Sequence, residues 1–442
     1  MKNLMRRGLA VLAVCLIIEP LPTAAYSVLA HEAVIDVVWD SDLKPVLLEK
    51  FPNATPDELR EAHAYAYGGS IIQDMGYYPH GSKFFSDLTH YFRSGDFIAA
   101  LLRNASDLNE YAFALGALSH YAADNDGHPM ATNLVVPMLY PGLRKKFGPV
   151  ITYEDNPLAH IKTEFGFDVL QVAKHRYAPD EYRNFIGFLV SLPLLNKAFL
   201  DTYDIDFQSV FNDEGCATNS YRYDISKLIP RATRVAWDLK KDDMQRDLPG
   251  ITRKKFLYNI KRSSYEKEWG KDYEHPTAGD KLMAFCIRIL PKIGPLKILT
   301  FRTPTPAAEQ LFEESFNATV VRYKNLLKEV RDSNLQLPNE NFDVGKVTPF
   351  GEYKLKDKTC AELLDQLAKQ DMATVDENLK SQLLTFYAGR GPSTVGQKHK
   401  KSAMRIDQHL KALQDTPVSA VQSEQSSSDL PRGVTVSIAV QP

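Results

Sequence analysis

Leu108, Tyr111, Ala112, Leu115 and Leu118 recur at three- and four-residue spacing, the pattern of an amphipathic helix, and Ser106 stands ahead of them as a capping residue. The run continues without a break into His120-Tyr-Ala-Ala-Asp124-Asn-Asp-Gly-His128-Pro129. On a helix His120, Asp124 and His128 fall at i, i+4 and i+8, all on one face. Two imidazoles and a carboxylate on a single stripe suit zinc, which takes nitrogen and oxygen donors at about 2 Å. The residue before a proline resists the α conformation, so the helix is expected to end at His128 and leave that ring turned toward a second ion.

The rest of the chain reads the same way, and the fold class expected is all-α. Thr55-Pro56-Asp57-Glu58 is a capping box with proline at the first helical position, opening a helix that stops at Gly68-Gly69. Asp96 is expected to cap a helix to about Asn104, and Asn156-Pro157 to start one carrying Ile161, Phe165, Val169 and Val172. Helical patterns cover 179–204 and 217–244, and a boundary is expected at Asp247-Leu248-Pro249-Gly250. Basic, aromatic helices are expected at Lys254–Trp269 and Ala278–Leu290, then a charged amphipathic helix with Pro306 in its first turn, running to about Asp332. Residues 333–358, rich in Asn, Pro, Gly and Lys, read as a loop or short hairpin, followed by helices at about 360–370 and 376–388. The Ser/Gln-rich stretch from Thr416 reads as disordered. The expected division is therefore 26–245, a helical C-terminal region over 246–415, and a tail over 416–442.

Seven of the eleven histidines lie between His31 and His160, beside acidic residues at helical spacings. His160-Ile-Lys-Thr-Glu164 is a second i, i+4 pair, in the first turns of the helix begun by Pro157. Asp74 follows the Gly68-Gly69 stop, and His90 lies in an aromatic-rich helix three residues after Asp87. Any single histidine on an apolar helix face is more often a hydrogen-bonded core residue than a ligand; His63, His80 and His175 are read that way. His275, His399 and His409 lie in charged, surface-like contexts, and Asp87 and Asp126 are read as capping or supporting groups. Two independent His/carboxylate pairs with further histidines favour a metal centre. His31-Glu32 begins an H-E-x-x-H pattern, but Ile35 occupies the second histidine position, which excludes a zincin motif. No G-x-S-x-G elbow, phosphate loop or dinucleotide fingerprint is present.

The first residues are expected to direct export. Lys2, Arg6 and Arg7 precede an apolar run from Gly8 to Ile18, then Pro20, Pro22 and the small residues Thr23, Ala24 and Ala25, the layout of a cleaved signal peptide over 1–25. Eleven apolar residues are too few to span a bilayer as a helix. Cleavage after Ala25 would make Tyr26 the mature N-terminus; a second candidate, after Ala30, would expose His31. Secretion or delivery to the periplasm is the expectation. The mature chain keeps Cys216, Cys286 and Cys360, far apart and without C-x-x-C spacing, which argues against a thiolate zinc site and leaves room for one disulfide or for free thiols. A net charge of -2 asks for neither a nucleic-acid nor an anionic-membrane partner.

The segment from Tyr26 to Glu164 resembles the zinc-dependent phospholipase C family, related to fungal single-strand nucleases and to the N-terminal domain of the glycosylphosphatidylinositol-specific phospholipase D. The matching order is an N-terminal aromatic, His31, Asp74, His90, His120-x-x-x-Asp124, His128 and His160-x-x-x-Glu164. The resemblance implies an all-α bundle around three zinc ions that hydrolyses phosphodiesters. It implies one ion on Asp74, His90, His120 and Asp124, and a second on His128, His160 and Glu164. A third would share Asp124 with His31 and the amino and carbonyl groups of Tyr26. In the secreted phospholipases and nucleases the histidine after the bridging aspartate follows a proline; here His128 precedes Pro129, closer to the phospholipase D branch.

On this reading Asp74 orients or deprotonates the attacking water, and the expected partner is phospholipid at a membrane surface. A nucleic-acid substrate is ranked second, because 26–245 shows no basic groove with interleaved aromatics. The alternative from another class is a non-catalytic exported helical protein that retains a zinc site.

Overall fold

The computed structural model describes residues 27–174, 187–225, 294–370, 375–390 and 397–416, together with Ala236, Lys240, Asp242, Gln245, Arg246 and Met372. The expected signal peptide, Tyr26, the boundary at Asp247–Gly250, the helices at Lys254–Trp269 and Ala278–Leu290, His175, His275, Cys286 and the tail from 417 lie outside the described residues.

In chain order the elements begin with α1 (Val28–Val38), a π-helical turn (Trp39–Leu43), α2 (Lys44–Lys50), α3 (Pro56–Gly69) and a 3-10 helix (Ile72–Tyr77). Then come α4 (Lys83–Tyr91), α5 (Ser94–Asn104), α6 (Leu108–Gly127), a π-helical turn (His128–Thr132), α7 (Asn133–Leu139), α8 (Pro141–Phe147) and α9 (Pro157–Ala173). The series continues with α10 (Leu192–Tyr203), α11 (Phe207–Val210), α12 (Glu214–Tyr223), a 3-10 helix (Gly294–Thr300) and α13 (Pro306–Arg331), then α14 (Lys354–Lys369), α15 (Glu377–Ala388) and α16 (Gln397–Asp415). The fold is all-α: the nearest thing to a strand among the described residues is one isolated bridge, Asn341 to Lys346.

Several helix starts follow from their capping residues. The Thr55 hydroxyl accepts from the Glu58 amide while Glu58 reaches back to the Thr55 amide, the reciprocal box its sequence announces. The side chains of Asn156 and Thr305 cap α9 and α13 by accepting from the amides of Ala159 and Ala308, each with proline at the first helical position. Three expectations are corrected. Asp107, not Ser106, caps α6, and Ser106 instead donates to Glu110. Asp96 lies inside α5, where it pairs with Arg93, the left-handed residue that precedes the helix. His128 keeps an α conformation (φ -64°, ψ -62°) although Pro129 follows. The chain does not leave the helix there; it widens into a π turn, which absorbs the missing proline N–H and carries on into α7.

The chain divides into two compact units, Met1–Leu363 and Leu364–Pro442. In the first, α6 is the central helix, buried from Tyr111 to Asn125. Ala30, Ala123, Val135, Leu139, Phe167, Ala308 and Phe312 form one apolar cluster, so α13 shares its core with α1, α6, α7 and α9. The Phe167 and Phe312 rings stack at 4.5 Å, and the Tyr323 hydroxyl donates to the Leu115 carbonyl at 2.9 Å. In the second unit Leu379, Leu383 and Leu413 are buried, and Lys380 on α15 donates to the carbonyls of Gln414 and Thr416 at the end of α16. Among the described residues no helix is long and apolar enough to cross a membrane. Cys216 is exposed and Cys360 buried, and both are free thiols.

Candidate metal centre

The site begins with a close helix crossing. A Cβ on Gly69 would lie 2.0 Å from the Phe113 carbonyl oxygen, and one on Gly116 would lie 2.1 Å from that of Ala66. Only glycine at both positions lets the backbones of α3 and α6 approach this far. The approach brings the Ser70 carbonyl to the Nδ1 of His120, 3.0 Å away. The 3-10 helix after α3 then presents Asp74, held by the neighbouring Gln73, whose amide donates to the Ala117 carbonyl at 3.1 Å. On α4, His90 places its Nδ1 2.7 Å from the Ser86 carbonyl.

A carbonyl can only accept, so in the neutral rings, the form that binds a metal, the Nδ1 atoms of His90 and His120 carry the proton and their Nε2 atoms present lone pairs. Those lone pairs face one another at 3.4 Å. Each also faces carboxylate oxygen: His90 Nε2 is 3.2 Å from Asp74 and 3.4 Å from Asp124, and His120 Nε2 is 3.1 Å from Asp124. His31, stacked on His120 with centroids 4.5 Å apart, places its Nε2 3.4 Å from the other Asp124 oxygen. Acceptors packed against acceptors repel unless a cation lies among them. Donors about 2.0–2.1 Å from a tetrahedral zinc stand roughly 3.3 Å from each other, the spacing found here. His31, His120 and Asp124 form one group able to share an ion, and Asp74, His90 and His120 another.

The second cluster lies across α6. His160 Nε2 donates to the Ile151 carbonyl at 2.6 Å, which leaves its Nδ1 as the acceptor, 3.8 Å from Glu164. The π turn aims His128 at the same place, the two rings lying 5.7 Å apart. A third group comes from the turn between α13 and α14: Asp343 Oδ1 stands 3.2 Å from His128 Nδ1. His128, His160 and Asp343 form the third group able to hold an ion.

Burial sets the electrostatics. None of His31, Asp74, His90, His120, Asp124, His128, His160 and Glu164 is more than 5% exposed. Burial pushes Asp74 up, and pushes Glu164 well up with help from the Asp124, Asp74 and Asp343 charges. Asp343 is raised by burial to about 7, against the hydrogen bonds it receives. Burial would raise Asp124 too, but the imidazoles of His120, His90 and His31 hold it well below the usual range. Burial would lower His90, and the Asp124 and Asp74 carboxylates carry it to about 10 instead. Burial takes His160 down to about 4 and His128 well below its ordinary value. A dry pocket with this many carboxylates is unfavourable without compensating cations, and the donor set fits zinc.

Of the residues singled out from sequence, His31, Asp74, His90, His120 and Asp124 converge in one place and His128, His160 and Glu164 in a second. Tyr26 lies outside the described residues. His63 is a core residue, stacked on Trp39 at 3.8 Å and 3.4 Å from Asp36. Asp87 pairs with Lys83, and Asp126 with Arg322, so neither joins the clusters. Asp343 was missed. It is 179 positions beyond Glu164 in a loop with only turn residues around it, and no helical spacing connects it to a histidine.

A family model described as zinc dependent phospholipase C matches residues 30–213. No curated protein and no solved structure gives a significant match to the chain. The matched segment, which supplies every histidine of both clusters, is similar to the zinc-dependent phospholipase C family.

Proposed function

We propose that this protein is an exported zinc-dependent phosphodiester hydrolase of the phospholipase C type, acting on phospholipid headgroup esters. The observation that carries the reading is the set of buried imidazole nitrogens turned toward carboxylate oxygens at 3.1–3.4 Å. Asp74, His90, His120 and Asp124 are assigned to one ion, and His128, His160 and Glu164 to a second. Asp124 and His31, with the amine and carbonyl that cleavage after Ala25 would expose on Tyr26, are assigned to a third. When bound, zinc neutralises phosphate oxygens and brings the pKa of a coordinated water to about 7.

The chain's own contribution is positional. Backbone carbonyls of Ser86, Ser70 and Ile151 fix the tautomers of His90, His120 and His160, so no reorientation accompanies loading. Asp74 is assigned the proton of the attacking water: it sits at the edge of the first cluster, with one oxygen turned to His90. Tyr77 and Tyr153, with ring centroids 6.1 Å apart, give the site an aromatic flank.

The test is hydrolysis by the secreted, N-terminally sequenced protein of phosphatidylcholine vesicles and of single-stranded DNA, with zinc counted in parallel. The expected result is diacylglycerol release that disappears in His120→Ala together with bound zinc. Preferential cleavage of DNA would replace the lipid assignment with the nuclease one. A zinc-loaded protein inert toward both would leave the structural-zinc reading standing.

A further inference from the structure

We propose that Asp343 is a metal ligand, so that the His128/His160 position is completed by a residue outside the segment that matches the family. This rests on the zinc reading above and extends it to a part of the chain that no family resemblance covers.

The carboxylate of Asp343 is divided in function. Its Oδ2 accepts from the Tyr353 hydroxyl at 2.7 Å and from the Tyr153 amide at 2.8 Å. Its Oδ1 receives no hydrogen bond and stands 3.2 Å from His128 Nδ1, itself without a hydrogen-bond partner. His160 Nδ1 and Glu164 Oε1 lack such partners too. Ligand atoms of His128, His160 and Asp343 thus lie within 4.8 Å of one another, with Glu164 Oε1 3.8 Å from His160 Nδ1. Satisfying one carboxylate oxygen while leaving its twin bare is how supporting hydrogen bonds orient a metal-ligating carboxylate.

The loop is built to hold that aim. The Asp343 amide donates to the Asn341 side chain at 3.1 Å, and the Asn133 side chain donates to the Asp343 carbonyl at 2.6 Å. The Phe342 amide donates to the carbonyl of His90 at 3.1 Å, and its ring lies 5.4 Å from the His90 ring. Gly345 turns with φ +63°, where a Cβ would come within 2.6 Å of the Asn125 carbonyl, on the turn of α6 that leads to His128. Asn341–Lys346 is therefore seated against both clusters.

The experiment measures zinc stoichiometry and affinity, by competition with a chromophoric chelator, in wild type, Asp343→Asn, Asp343→Ala and Tyr353→Phe. Visible spectra of the cobalt-substituted proteins are recorded alongside. The expected result is that the Asp343 variants weaken one zinc at least tenfold and change the intensity of the cobalt bands, while the remaining zinc stays bound. Tyr353→Phe, which removes a support and keeps the carboxylate, should weaken the same zinc less and leave the cobalt bands as in wild type. Wild-type affinity and spectra in both Asp343 variants would overturn the proposal. So would an equal loss in Tyr353→Phe, because Asp343 would then be acting as a loop anchor. A wild-type protein that binds no zinc would instead overturn the zinc reading itself.

Discussion

At the scale of single residues, the centre is a set of protonation states that a cation must rearrange. Without metal, His90 titrates at about 10 and Asp343 at about 7, so near neutral pH the first carries a proton and the second is partly protonated. Both must surrender protons before a cation can occupy their lone pairs. Zinc binding at pH 7 is therefore expected to release more than one proton per molecule. Calorimetric titration in buffers of different ionisation enthalpy measures that number, and a heat independent of the buffer would contradict the assignment. The sign follows from linkage: the metal-bound state holds fewer protons, so apparent affinity rises with pH. Much of this was legible in the sequence, because His120, Asp124 and His128 share a stripe and His160 and Glu164 share another. Asp343 was not, since a ligand delivered by a tertiary loop leaves no period to detect.

Among the elements, glycines decide how closely the helices of the candidate metal centre meet. Replacing Gly116 with alanine has two opposed effects. Helix propensity favours alanine by about 1 kcal/mol. The new Cβ would stand 2.1 Å from the Ala66 carbonyl oxygen and 3.0 Å from the Ser70 nitrogen, both backbone atoms with no rotamer to retreat into. Overpacking of this kind costs about 3 kcal/mol, so the clash wins and Gly116→Ala is expected to destabilise the protein by about 2 kcal/mol, read from the midpoint of denaturant unfolding. Because Ser70 also orients His120, the variant should hold zinc more weakly than wild type. The helices themselves were readable from their caps and periods, as at Thr55, Asn156 and Pro306. The crossing was not: Gly68-Gly69 reads in sequence as a stop signal, and the partner glycine lies 47 residues away in α6. The π turn at His128 escaped for a related reason, since a proline announces a break and only the surrounding packing turns that break into a widened helix.

For the whole molecule, the buried carboxylates mean that much of the folding free energy of the first unit is expected to reside in its ions. A ligand that binds only the folded state stabilises it by RT ln(1 + [L]/Kd), about 4 kcal/mol per site at a thousand-fold excess over Kd. The metal-free protein has no such term, and its pH response is mixed. Asp343, raised to about 7, loses stability as pH rises between its unfolded and folded values, and Glu164, also raised, acts in the same direction. His160, lowered to about 4, gains stability over the window from about 4 to about 6.5. Above about pH 6.5 the gain from His160 is complete and His90, raised to about 10, adds its own loss to those of the carboxylates, while zinc binds more tightly as its ligands shed protons. The melting temperatures of zinc-loaded and chelator-treated protein should therefore draw apart from about pH 6.5 to about pH 8, which differential scanning calorimetry at constant ionic strength records. A gap that stays constant or narrows over that range would mean that the carboxylates and imidazoles gathered around α6 do not hold the metal.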